Sequence, residues 1–372
     1  MQPARASHNV TLFLSGDVMT GRGIDQVLPH PGNPRLFEPC VRSALAYVKL
    51  AEAASGPIRR PVDFAAIWGH ARDAWRRLAP DLRIINLETA VTSSEHAWPG
   101  KGIHYRMHPD NLPCLAAAGI DCCTLANNHV MDWGRQGLEE TLDVLHRAGI
   151  ATAGAGRDAD QAAAPAVLHV PGKGRVLVFA WATEDSGVPP EWSAGPGRPG
   201  VNFLPGLTAC QLDTVAHRVR AAKRAGDLVV ASLHWGGNWG FDIPAQQQAF
   251  AHGLIDAAAV DVVHGHSSHH VKGIEVYLGK PILYGCGDFL NDYEGITGYE
   301  QFRSDLALMY FPTFEAGRLI RFAMTPTQTR HLRVNSAPAS DAWWLMTTLN
   351  REGRQFGTRV TRTARDDLLL HW

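Results

Sequence analysis

The 372-residue chain predicts an α/β fold, and three observations carry that prediction. Short runs rich in Val, Ile and Leu recur along it, each bounded by Gly, Asp or Asn. Segments of helical period lie between many of them, and strands alternating with helices of about 10 to 15 residues indicate α/β layering. The runs are continuously apolar, as strands are in a sheet buried on both faces.

Taken in order, the runs are VTLFLS from Val10, RIINL from Arg83, DCCTLA from Asp121, RVLVFAWA from Arg175, LVVASL from Leu228 and VDVV from Val260. Helical patterns cover Asp110 to Ala118, Gly137 to Ala148, Thr208 to Ala225 and Pro244 to Ala259. After His266 the strands crowd together as GIEVYLG, PILYG, DLALMYFP and GRLIRFAMTPT, which reads as a second, more antiparallel sheet stacked on the first. The stretch from Leu28 to Asp63 and the Pro/Gly-rich stretch from Ser186 to Pro205 are long connections, and such loops in a compact domain are usually functional or disordered. The tryptophan and prolines of the second favour an ordered lid.

Composition narrows the function classes. Lys+Arg number 35 and Asp+Glu 36, a net charge of −1 with 18 histidines neutral, and this excludes bulk binding to nucleic acid or anionic membrane. With 45% hydrophobic and 19% charged residues the chain is a packed protein. Its N-terminal apolar run is shorter than the roughly 7 to 15 residues of a signal peptide or the about 20 of a membrane span, so no membrane segment and a cytoplasmic location are expected. The six cysteines form no C-x-x-C pair and are expected to be free thiols.

Polar residues cluster where the strands end, and open α/β sheets place ligands beyond the carboxyl ends of their strands. These tips are Gly16-Asp17, Asn86-Leu87-Glu88, Asn127-Asn128-His129, His234-Trp235 and Gly265-His266-Ser267-Ser268-His269. Singly, each also suits a cap or a turn. Together they supply two carboxylates, amide oxygens and several imidazoles, a donor set without thiolate that suits one or two zinc, manganese or iron ions. The loop from Gly285 to Tyr293 adds Asp288 as a carboxylate that could orient a ligating histidine, with a capping role as the alternative. His264 and His270 are candidates for supporting roles, and His252 reads as a buried structural histidine. Trp235, Trp239, Trp181 and Trp192 could wall a site or fill the core. Asn33, Arg35, Arg42, Lys101, His104, Tyr105 and Arg106 lie in connections that could rim it.

In this order, G-D-V-M-T-G-R (Gly16 to Arg22), N-L-E-T (Asn86 to Thr89), A-N-N-H-x-x-D-W-G (Ala126 to Gly134), A-G-A-G-R-D (Ala153 to Asp158), H-W-G (His234 to Gly236) and G-H-S-S-H-x-x-K-G-I-E-V-Y (Gly265 to Tyr277) resemble the CapA family. That family is named for poly-γ-glutamate capsule biosynthesis and is related to the calcineurin-like metallophosphoesterases. The resemblance implies a four-layer α/β/β/α sandwich of metallophosphoesterase type with two stacked mixed sheets. It implies a domain over 8–326, with 28–64 and 186–205 as insertions near the site, and a C-terminal extension over 327–372 packed on it. It further implies that Asp17 and His269 bind a first metal, that Glu88 bridges, and that Asn128, His234 and His266 bind a second. His129 becomes the acid or electrostatic partner of the scissile group, and Arg22 faces an anionic group of the substrate. Asn86, Asp288, His270 and Trp235 become supporting or substrate residues. Two departures stand out: Met19 occupies the histidine position of the superfamily's D-x-H, and Ser268 occupies the proline position of G-H-x-P-H.

The expected function is metal-dependent hydrolysis of an amide (γ-glutamyl or peptide) or phosphoester bond in an anionic small-molecule or peptide substrate. The alternative is a non-enzymatic accessory protein that holds an anionic polymer or partner in the same pocket. A serine-nucleophile hydrolase lacks its G-x-S-x-G elbow.

Overall fold

In the computed structural model, which describes residues 9–372, the strand Val10–Val18 is the axis of a ten-stranded mixed sheet. On one side it pairs in parallel with Leu82–Leu87, and Cys122–Thr124 and Ala151–Ala153 follow, also parallel. On the other side Leu306–Glu315, Arg318–Arg330, Leu368–His371 and Arg359–Arg362 continue it antiparallel. The short strand Asp288–Leu290 pairs in parallel with the end of the axial strand and sets Asp288 opposite Asp17.

A seven-stranded second sheet runs Gly174–Thr183, Leu228–His234, Val262–His266 and Lys280–Leu283 in parallel, with Ile274–Tyr277 antiparallel at its edge. Its strands explain their continuously apolar texture by alternation. Val176, Val178 and Ala180 join Leu12, Leu14 and Ile84 of the first sheet in one core, while Leu177, Phe179 and Trp181 join a separate core. That second core includes Val215 and Val219 of the helix Ala209–Ala222 and Phe250 and Leu254 of Ala245–Asp256. Both faces are therefore dry, and each buried Leu or Phe contributes about 1.5–3 kcal/mol. Thr208 caps the first of these helices, its hydroxyl accepting from the Gln211 N–H at 3.3 Å.

The structure corrects the expected division of strands. The hairpin Ile274–Leu283 belongs to the sheet of Gly174–Thr183, whereas Leu306–Glu315 and Arg318–Arg330 return to the sheet of the first strand. Apolar runs reveal strands, but which strands pair is set by long-range packing that no local pattern carries. Four cysteines are buried, and Cys40 and Cys210 are exposed; all six are free.

Candidate metal centre

The carboxyl ends of both sheets meet at one place. Asp17 ends the first strand and lies in register with Asn86, and His234 lies in register with His266 in the facing sheet. Two groups of donor atoms converge there within 4.8 Å: Asp17 with His234 and His266, and Asp17 with His269 and Asp288. Asp17 is common to both, and Asp288 stands among the donors while also bonding His269 Nδ1 at 2.9 Å, the orienting contact expected of it. Glu88 Oε1 reaches 3.9 Å from His129 Nε2 and from His234 Nε2, so it borders the side of the site where Asn128 Oδ1 lies 3.2 Å from His234 Nε2.

Asn86 organises the carboxylates. Its amide donates to Asp17 Oδ1 at 2.8 Å and to Glu88 Oε2 at 3.1 Å, while its oxygen accepts from Asn127 Nδ2 at 3.0 Å. Burial and the neighbouring Asp288 push the Asp17 carboxyl up to about 7. Burial and Asp17 raise Glu88 well above the ordinary carboxylate range. Among the described residues no Lys or Arg forms an ion pair with Asp17, Glu88 or Asp288; their partners at that range are histidines. Buried carboxylates whose partners at ion-pair range are histidines are poorly stabilised as anions, and a divalent ion would supply the missing positive charge. The oxygen and imidazole donors fit zinc, manganese or iron.

The imidazoles are oriented by a traceable chain. His264 Nε2 lies 2.7 Å from the Ser15 carbonyl, which only accepts, so that nitrogen carries the proton. Burial pushes His264 down to about 4, leaving the ring neutral with an accepting Nδ1. Ser232 Oγ has one proton to share between that nitrogen at 3.2 Å and Thr124 Oγ1 at 3.3 Å, and with either its oxygen accepts at 2.8 Å from His266 Nε2. His266, also held neutral by burial, is left with its Nδ1 lone pair facing the site, 2.8 Å from His234 Nδ1 and 3.7 Å from Asp17 Oδ1. His269 Nδ1 meets Asp288 Oδ1 at 2.9 Å; burial alone would lower this imidazole, but Asp288 and Asp17 outweigh it and raise it.

His129 Nδ1 lies 2.6 Å from Asp132 Oδ2, which leaves Nε2 directed toward Glu88. Burial pushes His129 down to about 4 against the pull of Asp132. Lys101 bonds Asp132 and the Asn128 carbonyl and sits 3.1 Å from His129 Nδ1. Sequence reading left Asp132 without a role, although its i+3 spacing from His129 in A-N-N-H-x-x-D was the available signal, and placed Lys101 only on the rim. Ser232 carried no signal, since its role depends on the pairing of two strands.

Other expected residues stand outside the donor groups. Arg22 is buried between Tyr47 and Tyr105 at 3.8 and 4.4 Å, and its guanidinium pairs with Asp292 and with Glu38 at 2.9 Å. A substrate anion there has to compete with two carboxylates. Trp235 requires a correction: its ring stacks on Tyr284 in the core and donates to the Tyr284 carbonyl at 3.0 Å, because its side chain points to the helix-covered face of the sheet. Its backbone N–H still supports the site by bonding the His266 carbonyl at 3.3 Å. His270 packs among Trp239, Phe241 and Phe302, outside both donor groups. Trp181 and Trp192 are core residues, whereas Trp239 lines a cleft of ≈ 570 Å³ beside His269.

With that geometry in place, comparison with known proteins is decisive. A family model described as bacterial capsule synthesis protein PGA_cap matches residues 11–293. The chain belongs to this family. It is 47% identical over 363 residues to a probable polyglutamine synthesis accessory protein of Mycobacterium tuberculosis, covering 97% of this chain and 95% of that one. It is 27% identical to the PGA biosynthesis protein CapA of Bacillus subtilis, over 84% of this chain and 69% of that protein. The capsule biosynthesis protein CapA of Bacillus anthracis is 25% identical, over 77% and 61%. The PGA_cap match spans every residue of the two candidate donor groups, from Asp17 to Asp288. Among the described residues no helix is long and apolar enough to cross a membrane.

Proposed function

We propose that this PGA_cap protein is a metal-dependent hydrolase of an amide or phosphoester bond, acting in the cytoplasm in poly-γ-glutamate or related metabolism. The observation that carries the reading is the buried convergence of Asp17 with His234, His266, His269 and Asp288, with Glu88 bordering His234; among the described residues no Lys or Arg is ion-paired to these carboxylates, and Lys101 acts on Glu88 only from beyond ion-pair range. Asp17, His269 and Asp288 would hold one divalent ion, and Asp17, Glu88, Asn128, His234 and His266 a second. When bound, such ions lower the pKa of a water and polarise the scissile group. His129, oriented by Asp132 through Nδ1, presents Nε2 to exchange a proton with the reacting group. The negative charge of a bound substrate favours its protonated form and hence the acid role. The alternation of apolar faces supports the four-layer α/β/β/α arrangement, whereas the expected boundary between 8–326 and 327–372 falls inside the strand Arg318–Arg330, to which Leu368–His371 pairs in the same sheet.

A second reading has its own support. Met19, at the position of a superfamily histidine, is fully buried and accepts from the Tyr293 hydroxyl at 3.6 Å, and the M. tuberculosis relative is named an accessory protein. On that reading the pocket binds an anionic polymer or partner without turnover. Metal analysis joined to a hydrolysis screen separates the two. The hydrolase reading expects bound transition metal, reduced stoichiometry in Asp17→Asn and loss of turnover in Glu88→Gln. A folded protein that takes up no metal and cleaves neither phosphoesters nor γ-glutamyl peptides would end it.

A further inference from the structure

The cleft of ≈ 570 Å³ beside the candidate metal centre has the buried His269, Asn291 and Arg22 in its lining, and it has the size of a small-ligand site. Its outer part, built by residues 293–300 and 328–330, takes no role in the bond-breaking chemistry above. Two of the three arginines along it are already ion-paired, and Glu294 and Glu300 add negative charge with no cation paired to either among the described residues. Arg22 is paired with Asp292 and Glu38, and Arg303 with Asp305 and Asp341. Glu294 accepts from the Ser55 hydroxyl and from the Leu332 N–H at 3.3 Å. Arg330 donates Nε to Ser55 Oγ at 2.9 Å and keeps only its terminal nitrogens. A run of carboxylates needs a row of free cations, and the cleft does not offer one.

What the cleft does offer is flat apolar surface with polar groups beside it. Trp239 and Tyr299 stack face to face, with 4.0 Å between centroids and 3° between planes, so each covers one face of the other and the outer face of Tyr299 is the flat surface left to a ligand. Tyr299 and Ile296 on this wall remain 48% and 49% exposed. Thr329, only 6% exposed, has a buried hydroxyl with no hydrogen-bond partner, and the Asn238 carboxamide lines the same space. A buried hydroxyl left unpaired costs about 1–3 kcal/mol, which a ligand group could recover.

We infer that the cleft holds the organic part of a small phosphoester whose phosphate sits at the metal centre: an uncharged ring, nucleobase or sugar, lying against the Trp239–Tyr299 pair, with its polar edge bonded by Thr329 and Asn238. This rests on the phosphoester branch of the hydrolase reading.

The test titrates the full, manganese-loaded chain by ligand-observed NMR with adenosine, methyl glucoside and a γ-glutamyl oligopeptide, none of which carries a phosphate to turn over. Saturable binding of adenosine identifies a base, and of methyl glucoside a sugar. The ring bound should weaken about tenfold in Tyr299→Ala, the size of a lost stacking contact. It should weaken severalfold in Thr329→Val, a nearly isosteric change that leaves the melting temperature unchanged or raised. The inference is overturned if neither ring binds, if ring binding ignores both variants, or if the γ-glutamyl oligopeptide binds in preference to both. Ring binding without hydrolysis of any ester sinks the hydrolase reading alone, and γ-glutamyl cleavage without ring binding sinks the cleft assignment alone.

Discussion

At the scale of single residues, the centre depends on groups that never touch a metal. The chain from the Ser15 carbonyl through His264 and Ser232 decides which nitrogen of His266 carries its proton. Removing such a supporting partner typically costs 10–100-fold in metal affinity. Ser232→Ala should therefore weaken metal binding by about that factor while the donors stay in place, as read by competition with a chelating dye. Unchanged affinity would show that His266 takes its orientation from elsewhere. That these residues gather at one place was legible, because the strand tips carry Asp17, Glu88, Asn128 and the histidines in plain order. Their hierarchy was not. Asp288 bonds His269 Nδ1 as expected of a carboxylate that orients a histidine, but it also stands beside Asp17, because the pairing of Asp288–Leu290 with the axial strand is a contact across about 270 residues that no motif spacing encodes.

At the scale of elements, the approach of backbone to backbone sets the position of Asp17. A Cβ on Gly16 would lie 1.7 Å from the Gly287 carbonyl oxygen, and the Asp17 N–H donates to that same oxygen at 3.0 Å. The glycines at both positions let the axial strand and the loop before Asp288 lie in contact. Gly16→Ala should separate these segments, with a destabilisation of at least about 3 kcal/mol and loss of metal binding together, measured by urea melts and metal content. A variant with normal stability and metal content would mean that the loop yields without moving Asp17. Elements were the most readable level: the strand Leu228–His234 and the helices Ala209–Ala222 and Ala245–Asp256 fall within a few residues of the expected segments. The division of the later strands between two sheets was not readable, since hydrophobic texture is the same in either sheet.

At the scale of the whole molecule, the centre exists only while the two sheets keep their relative position, since Asp17 belongs to one and His234 and His266 to the other. The C-terminal segments help hold the cleft wall against this frame. Asp305 accepts from Arg303 Nε at 2.8 Å and Nη2 at 2.9 Å and from Gln328 Nε2 at 2.9 Å, and Arg303 also pairs with Asp341 on the helix Ala339–Gly353. Burial would raise the Asp305 carboxyl, but the Arg303 and Gln328 hydrogen bonds outweigh it and hold it below its ordinary value. A carboxyl lowered in the folded state binds fewer protons there than in the unfolded chain. Its contribution is therefore complete above the unfolded value of about 3.9 and is lost as the pH falls through the lower folded value. The side chain is 40% exposed, so solvent screening keeps the effect modest. Asp305→Asn should lower the urea midpoint at pH 6, and the gap from wild type should narrow toward pH 3 as the wild-type carboxylate takes up its proton. A gap of constant size across that range would assign the role of Asp305 to shape and hydrogen bonding alone, with no contribution from its charge.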